Sequence, residues 1–437
     1  MGKETPRKAK VNITYTPKGQ AAKRTAGVMA EYEEGFSYTD AATGESDAIS
    51  LKVCNKDLRW ANKWLPKKGD KMVAKIKVFS WDAAGKDRTF SCGKFCCDDL
   101  SFSGPTLICN IGGVSVPEGQ AFRATQRTYN WEKVTIQEIA RKIAKRYGLS
   151  LHYDAGKINI SSIEQNKQTD CEFLNRLCED YGLYIKVYFG KIIIYDIDRY
   201  ESKKAVATYH INDFGDGWSY NTTLTGTYTG ATIKYTKGDN DEELTLTVGS
   251  GKRMLNITEK VDSLPDAQIK ACARVNKENR KAVTMSATIK ANLKIVAGVC
   301  IKIKGAYNIN GKYFVDKVTH KIEADGAYTM DLELHKVQTK IKNVTNSSSI
   351  KPTKPSTSSA SGGAPAADTG ALAVGDKVIV NGPAYYAGNG GRSNNCSGMT
   401  MYITEILGSN YKYQYGVAKR KGGTRYGWCA KGSLTKA

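Results

Sequence analysis

"CGKFCCDDLSFSGPTLICNIGGVSVP", residues 92–117, sets three cysteines and two aspartates within eight positions. Two chemistries compete for it, a metal or redox centre and a β-strand running into a turn. Zinc sites want paired C-x2-4-C elements and four ligands. Cys92, Cys96 and Cys97 give C-x3-C-C with no second knuckle nearby. The period-2 pattern reads better: Phe95 and Cys97 fall on one face of a strand, Cys96 on the other, and Asp98-Asp99 start the turn. Upstream, "KVNITYT" (10–16), "MVAKIKVFSW" (72–81) and "RTFSCGKFCC" (88–97) alternate β-branched and aromatic residues, with "WDAAGKD" (81–87) as a hairpin loop. The chain therefore opens as β structure.

At 437 residues it has room for about three domains. Hydrophobic residues at 41% and charged residues at 25% are ordinary for a soluble globular chain. "MGKETPRKAK" lacks the apolar stretch of a signal peptide, and the longest apolar runs, such as "IIIY" (192–195), are too short to span a bilayer. No membrane insertion is expected, and cytoplasmic synthesis and assembly follow. Eleven cysteines, an odd number, read as reduced thiols. The net charge of +22 is shared as +7 over 1–128, +2 over 129–204, +4 over 205–340, +2 over 341–370 and +7 over 371–437. The last segment is the most basic for its length, which points to a polyanionic partner.

From 134 the period changes. "VTIQEIARKIAKRYGL" places Ile136, Ile139, Ala140, Ile143, Ala144 and Tyr147 on one helical stripe, with Thr135 as N-cap, Glu138 as its capping-box partner and Gly148 as the stop. "TDCEFLNRLCEDYGL" (169–183) predicts a second helix, with Asp170 as cap, Cys171, Leu174, Cys178 and Tyr181 on one face, Phe173 and Leu177 flanking, and Gly182 ending it. "YIKVYFGKIIIYD" (184–196) is a hairpin around Phe189-Gly190. Residues 205–340 return to strands, interrupted by the helix "PDAQIKACARVNKENR" (265–280). "NVTNSSSIKPTKPSTSSASGGAPAADTGA" (343–371) has almost nothing to bury and reads as a flexible tether.

Four histidines (152, 210, 320, 335) show no metal-ligand spacing, and no nucleophile elbow, phosphate loop or dinucleotide fingerprint occurs. Catalytic, metal and cofactor sites are therefore not expected. Residues 371–437 combine short strands, Gly turns and clustered aromatics, as in a small barrel. Tyr385, Tyr386, Arg425, Tyr426 and Trp428 are its candidate ligand-binding residues, able to stack on a sugar or peptide beside Lys419, Arg420 and Lys421.

These stretches together resemble the late-control D family of phage tail proteins, the baseplate hub related to the type VI secretion spike base. The likeness covers roughly residues 10–340 and rests on three stretches: 92–117, with the family's G-x-F-x-x-D-D and "SGP"; "WEKVTIQEIARKIAKRYGLSLHYD" (131–154); and "NKQTDCEFLNRLCEDYGLYIKVYFGKIIIYD" (166–196). The tail resembles bacterial SH3-like modules. The resemblance implies a mainly β fold with an α+β insert. Its parts would be a first hub β-barrel domain (1–128), the insert (129–204), a similar second hub barrel (205–340), the linker (341–370) and an SH3-like small barrel (371–437). It further implies a homotrimer whose six barrels form a ring between the sixfold tail tube protein and the threefold central spike protein. Other baseplate proteins would contact the insert, in a virion or tail-like particle, and the C-terminal module would reach cell-wall glycan. Two other classes compete: a tail-associated cell-wall-binding or cell-wall-hydrolysing protein, for which no catalytic constellation is found, and a nucleic-acid binder, against which basic and acidic residues interleave.

Overall fold

A computed structural model of the chain describes residues 7–18, 33–105, 107–115, 121–188, 190–215, 217–236, 243–261, 263–342, 372–387, 390–396, 398–408 and 411–436. The chain divides into two compact units, Met1–Pro355 and Ser356–Ala437.

The first unit opens with β1 (Lys8–Thr16), β2 (Glu33–Ala41), β3 (Ala48–Cys54), β4 (Lys71–Phe79), β5 (Arg88–Ser103) and β6 (Ile108–Val114). Strand β5 carries the decisive stretch. Phe95 and Cys97 are buried and Cys96 is only half-buried, as the alternation predicts; Cys92 shares the parity of Cys96 yet is buried, because the pairing with β4 slips by one residue there, from Gly93 to Ser91. The expected turn at Asp98-Asp99 does not occur: the register slips there as a β-bulge and the strand runs on to Ser103. As an interior strand it pairs with β4 along its first half and with β6 along its second. The chain reverses only after Ser103.

An α+β segment follows: α1 (Ala121–Ala124), β7 (Gln126–Thr135), α2 (Ile136–Arg146), β8 (Ser150–Asp154), β9 (Asn159–Thr169), α3 (Asp170–Asp180), β10 (Leu183–Tyr188), β11 (Lys191–Asp196) and α4 (Ile197–Ser202). Helix α2 has the predicted capping box, in which the Glu138 backbone N–H donates to Thr135 Oγ1 (3.2 Å) and the Thr135 N–H to Glu138 Oε2 (2.8 Å). Such a cap stabilises a helix by about 1 kcal/mol. On α3 the cap is Thr169, one residue before the expected Asp170, because Glu172 lies three residues beyond Thr169 and closes the same box. Asp170 is instead buried, accepting hydrogen bonds from Tyr147 Oη (2.6 Å) and Gln165 Nε2 (2.9 Å) and pairing with Arg146. The buried stripe of α3 also sits off the predicted one. Phe173 and Leu177, read as flanking, are fully buried with Leu174 and Cys178, whereas Cys171 is only partly covered. Strands β10 and β11 pair as the predicted hairpin, with Gly190 at φ +75°; Phe189 lies outside the described residues.

The remainder of the unit comprises β12 (Ala207–His210), β13 (Trp218–Thr222), β14 (Gly230–Thr236), β15 (Glu243–Gly249), β16 (Met254–Val261), α5 (Leu264–Arg280), β17 (Val283–Lys290), β18 (Cys300–Lys304), β19 (Gly311–Glu323) and β20 (Tyr328–Lys336). Helix α5 packs on the small β15-β14-β16 sheet through Ala267, Ala271 and Val275.

Two separate closed barrels were expected; the described strands form neither. They build one sheet in the order β1-β4-β5-β6-β3-β2-β19-β20-β17-β13, with β18 and β12 attached beside β19. The join is β2, which pairs with β3 on one edge and with β19 on the other, Gly35 opposite Glu323 through Ala41 opposite Lys317. Its backbone pairs along both edges, and its side chains alternate between two faces. Phe36 and Tyr38 enter the core, while Ser37 and Thr39 stay small on the opposite face. One core then serves both halves: Tyr38, Phe90 and His320 stack together, and Trp81 Nε1 donates to the Ala291 carbonyl at 2.8 Å.

The second unit contains β21 (Lys377–Val380), β22 (Pro383–Ala387), β23 (Gly390–Asn395), β24 (Met399–Ile406), β25 (Tyr415–Ala418), β26 (Gly427–Cys429) and β27 (Leu434–Lys436). Their order is β23-β22-β26-β25-β24-β21-β27 around a core that includes Val378, Val380, Met401, Ile403 and Val417; the path does not close into the expected barrel. Of the expected linker, 343–370 lies outside the described residues, whereas Ile341 is still tied to α5. Among the described residues no helix is long and apolar enough to cross a membrane.

Candidate functional sites: two charged joints and an aromatic face

Several of the buried titratable groups are committed to structure. His320 is fully buried, bonds Tyr328 Oη through Nδ1 (2.6 Å) and is pushed by burial down to about 3, so it stays neutral. The His210 ring serves as a local cap. Burial pushes the Cys97 and Cys109 thiols up to about 11, and Cys92 and Cys178 higher still, so these sulfurs are neither thiolates nor nucleophiles. Among the described residues no group of three His, Cys, Asp or Glu is placed to hold a metal.

What the fold does concentrate is buried charge where the α+β segment meets the sheet. At the first joint Lys186, on β10, reaches Asp40 and Asp47, the latter at 3.1 Å. Asp40 also accepts the Ala297 N–H (2.8 Å), and Asp47 accepts Tyr38 Oη (3.1 Å). Burial opposes the Lys186 charge, but the two carboxylates hold its ammonium above the usual range. Burial pushes Asp47 up to about 6, although the Lys186 charge works against that rise. Around this cluster Thr43 Oγ1 donates to the Ile185 carbonyl (3.1 Å), Tyr195 Oη to that of Ala42 (3.0 Å) and Tyr188 Oη to that of Ser91 (3.0 Å). Gly93 explains the glycine in the opening stretch. Its φ is +125°, and a Cβ there would meet the Tyr188 ring at 3.3 Å, so the position is left bare for the aromatic ring of β10.

At the second joint Glu201, on α4, is almost fully buried among cations. Arg280 Nε donates to Oε1 at 2.8 Å, His335 Nε2 lies 2.6 Å from the same oxygen, and Lys340 pairs with Oε2. The other ring nitrogen of His335 faces both oxygens of Asp316 at 2.8 Å. Burial resists the charge of Glu201, yet the His335 hydrogen bond and the Arg280 charge hold its carboxyl far below the usual range. Burial likewise resists a charged His335, but Asp316 and Glu201 raise it, which makes the ring an imidazolium donating to a carboxylate from each nitrogen. Asn276 closes the joint by exchanging hydrogen bonds with the Ile341 backbone, 2.8 and 2.9 Å. Sequence reasoning missed both joints, since their partners lie up to 257 residues apart.

In the second unit Tyr385 stacks on Tyr413 (centroids 3.9 Å, planes 19° apart) and stands opposite Trp428 in the β22–β26 register. Trp428 is only 5% exposed, so it is core; the Arg425 guanidinium lies 4.5 Å above it and donates to Glu405 at 2.8 Å. Tyr386 is 60% exposed and its hydroxyl accepts from Asn394 Nδ2 (3.0 Å). Tyr426 is partly buried under Lys419, 4.6 Å from its ring. The five candidates thus separate into one exposed aromatic, Tyr386, two partly buried ones, Tyr385 and Tyr426, and a buried indole under the paired Arg425.

Residues 122–335 match a family described as YQBQ-like. Two curated relatives, the probable baseplate hub proteins of Escherichia phages P2 and 186, are 28% identical over 151 residues and 32% over 152. Each match takes in 33% of this chain and 38% of the relative's length. Among solved structures, the 43 kDa tail protein of prophage MuSo2 from Shewanella oneidensis has a similar fold, with a TM-score of 0.56 at 13% identity, covering 74% of this chain and 98% of that one. The expected likeness to phage baseplate hub proteins is met in sequence, and the likeness to a tail protein in fold.

Proposed function

We propose that this chain is the structural baseplate hub of a contractile phage tail or tail-like particle. Three copies would form a ring joining the sixfold tail tube protein to the threefold central spike protein, with other baseplate proteins around it. The observation that carries this reading is the single sheet with its two charged joints. The charged joints and the shared core hold the α+β segment and both ends of the first unit as one scaffold, and the buried His320 and His335 and the buried thiols are taken up in its packing. A joint needs rigidity and surface, and it needs no reactive side chain. The likeness to the two phage hub proteins supports the same reading. In a virion or particle lysate the chain is expected to co-purify with the tail tube protein and to localise to the baseplate end of the tail by gold labelling. Label along the tail shaft, or none on particles, would contradict the proposal.

A second role is favoured by one observation on the C-terminal unit, the exposed Tyr386 beside the Tyr385–Tyr413 stack. Such a surface can hold a sugar ring, and its setting is basic, so cell-wall glycan is the ligand we assign to it. Full-length protein should sediment with purified peptidoglycan, and Tyr386→Ala with Tyr385→Ala should cut the bound fraction at least fivefold. Equal sedimentation of the double variant removes this assignment. Clearing in a zymogram would favour the wall-hydrolysing alternative.

A further inference from the structure

On the solvent face of β1 and β4 four lysines stand together. Lys8 and Lys10 alternate along β1, Lys75 and Lys77 along β4, and the register sets Lys10 directly opposite Lys77. Lys8, Lys10 and Lys75 are exposed and Lys77 partly so. Like charges directly opposite one another on an antiparallel pair destabilise it. Among the described residues the one carboxylate within ion-pair range of the four is Asp87, 3.9 Å from Lys77. The fold therefore keeps an unbalanced positive patch at a cost to its own sheet.

We propose that this lysine comb docks an acidic protein surface of a neighbouring tail component, a proposal that rests on the hub reading above. Charge complementarity selects the class of partner, and the rest of the face selects protein over nucleic acid. Following directly opposed residues from Lys71 through Cys96, Val114, Ala48, Thr39 and Thr319 leads to Asp331 on the same face. There Lys317 pairs with Glu333 (3.2 Å) and Lys321 with Asp331. A phosphate backbone continuing across the sheet would meet those carboxylates, whereas a bounded acidic patch covers the four lysines alone.

The test is Lys10→Glu in the full chain, because it should move two readouts in opposite directions. The introduced carboxylate would face Lys77 as a cross-strand ion pair, so the thermal midpoint should rise. Affinity for poly-L-glutamate at 50 mM salt should fall at least threefold, while affinity for a 20-base-pair DNA duplex should fall less than twofold. Unchanged polyglutamate binding, or a lowered midpoint, overturns the inference. A loss for the duplex as large as for polyglutamate replaces it with a nucleic-acid site. Failure here is separable from failure of the hub reading. If wild-type protein co-purifies with tail components and Lys10→Glu does so equally well, only the comb falls; if wild type never does, the hub reading falls with it.

Discussion

Replacing Lys186 with alanine is expected to destabilise the first unit by about 3–5 kcal/mol, the range for removing one partner of a buried ion pair. The reason lies in what stays behind. Asp40 and Asp47 are buried carboxylates whose remaining partners are neutral N–H and O–H donors, so without the ammonium two negative charges share one dry site. The urea midpoint, followed by tryptophan fluorescence, should fall sharply, and amides of β10 and β11 should lose protection from hydrogen exchange before those of β4. Asp47→Asn is the opposite case. One ammonium already faces two carboxylates, and burial has pushed Asp47 up to about 6, so at pH 7–8 neutralising it relieves a strained charge. That variant should be neutral or stabilising. A Lys186→Ala protein as stable as wild type would show that the joint is decorative.

The second large effect is at Glu201. Glu201→Ala strips the shared carboxylate from Arg280, His335 and Lys340 and should cost a similar 3–5 kcal/mol by thermal or urea unfolding. The same joint predicts a pH dependence. Because His335 is raised in the folded chain, its contribution is complete below the unfolded value of about 6.5 and is lost as pH rises through its folded value. Glu201 is depressed, so its contribution is present above about 4.3 and is lost only in acid. His320, depressed to about 3, likewise loses stability only as pH falls below about 6.5. Between pH 6.5 and 8, before unfolded-chain thiols ionise, stability should therefore decline with rising pH, and His335→Gln should flatten that slope. A slope unchanged in His335→Gln would place the titrating group elsewhere.

Much of the local structure was legible because its causes are local. Thr135 and Glu138 lie three residues apart and cap the same turn, and the alternation of Phe95, Cys96 and Cys97 is a property of one strand. The same reasoning erred by one residue at Thr169, where Asp170 looked like the better cap until the spacing to Glu172 decided it. It erred at Asp98-Asp99, where two aspartates signal a turn but a bulge absorbs them. What could not be read is pairing between distant strands. Nothing in "EEGFSYTDA" tells that β2 has a second partner some 280 residues away, so the two halves looked like separate barrels. Both joints are hidden for the same reason, since Lys186, Asp40 and Glu201 each look like ordinary surface charge until the chain folds. On the C-terminal unit, composition identified the aromatic cluster, but only packing separates exposed Tyr386 from buried Trp428.

The most direct measurement of the whole account is the native mass of this protein mixed with the tail tube protein that the proposal assigns to it. A complex containing three copies of the chain and tube protein in multiples of six is the predicted result. A species with one copy, or a chain that stays alone at every ratio, would contradict it.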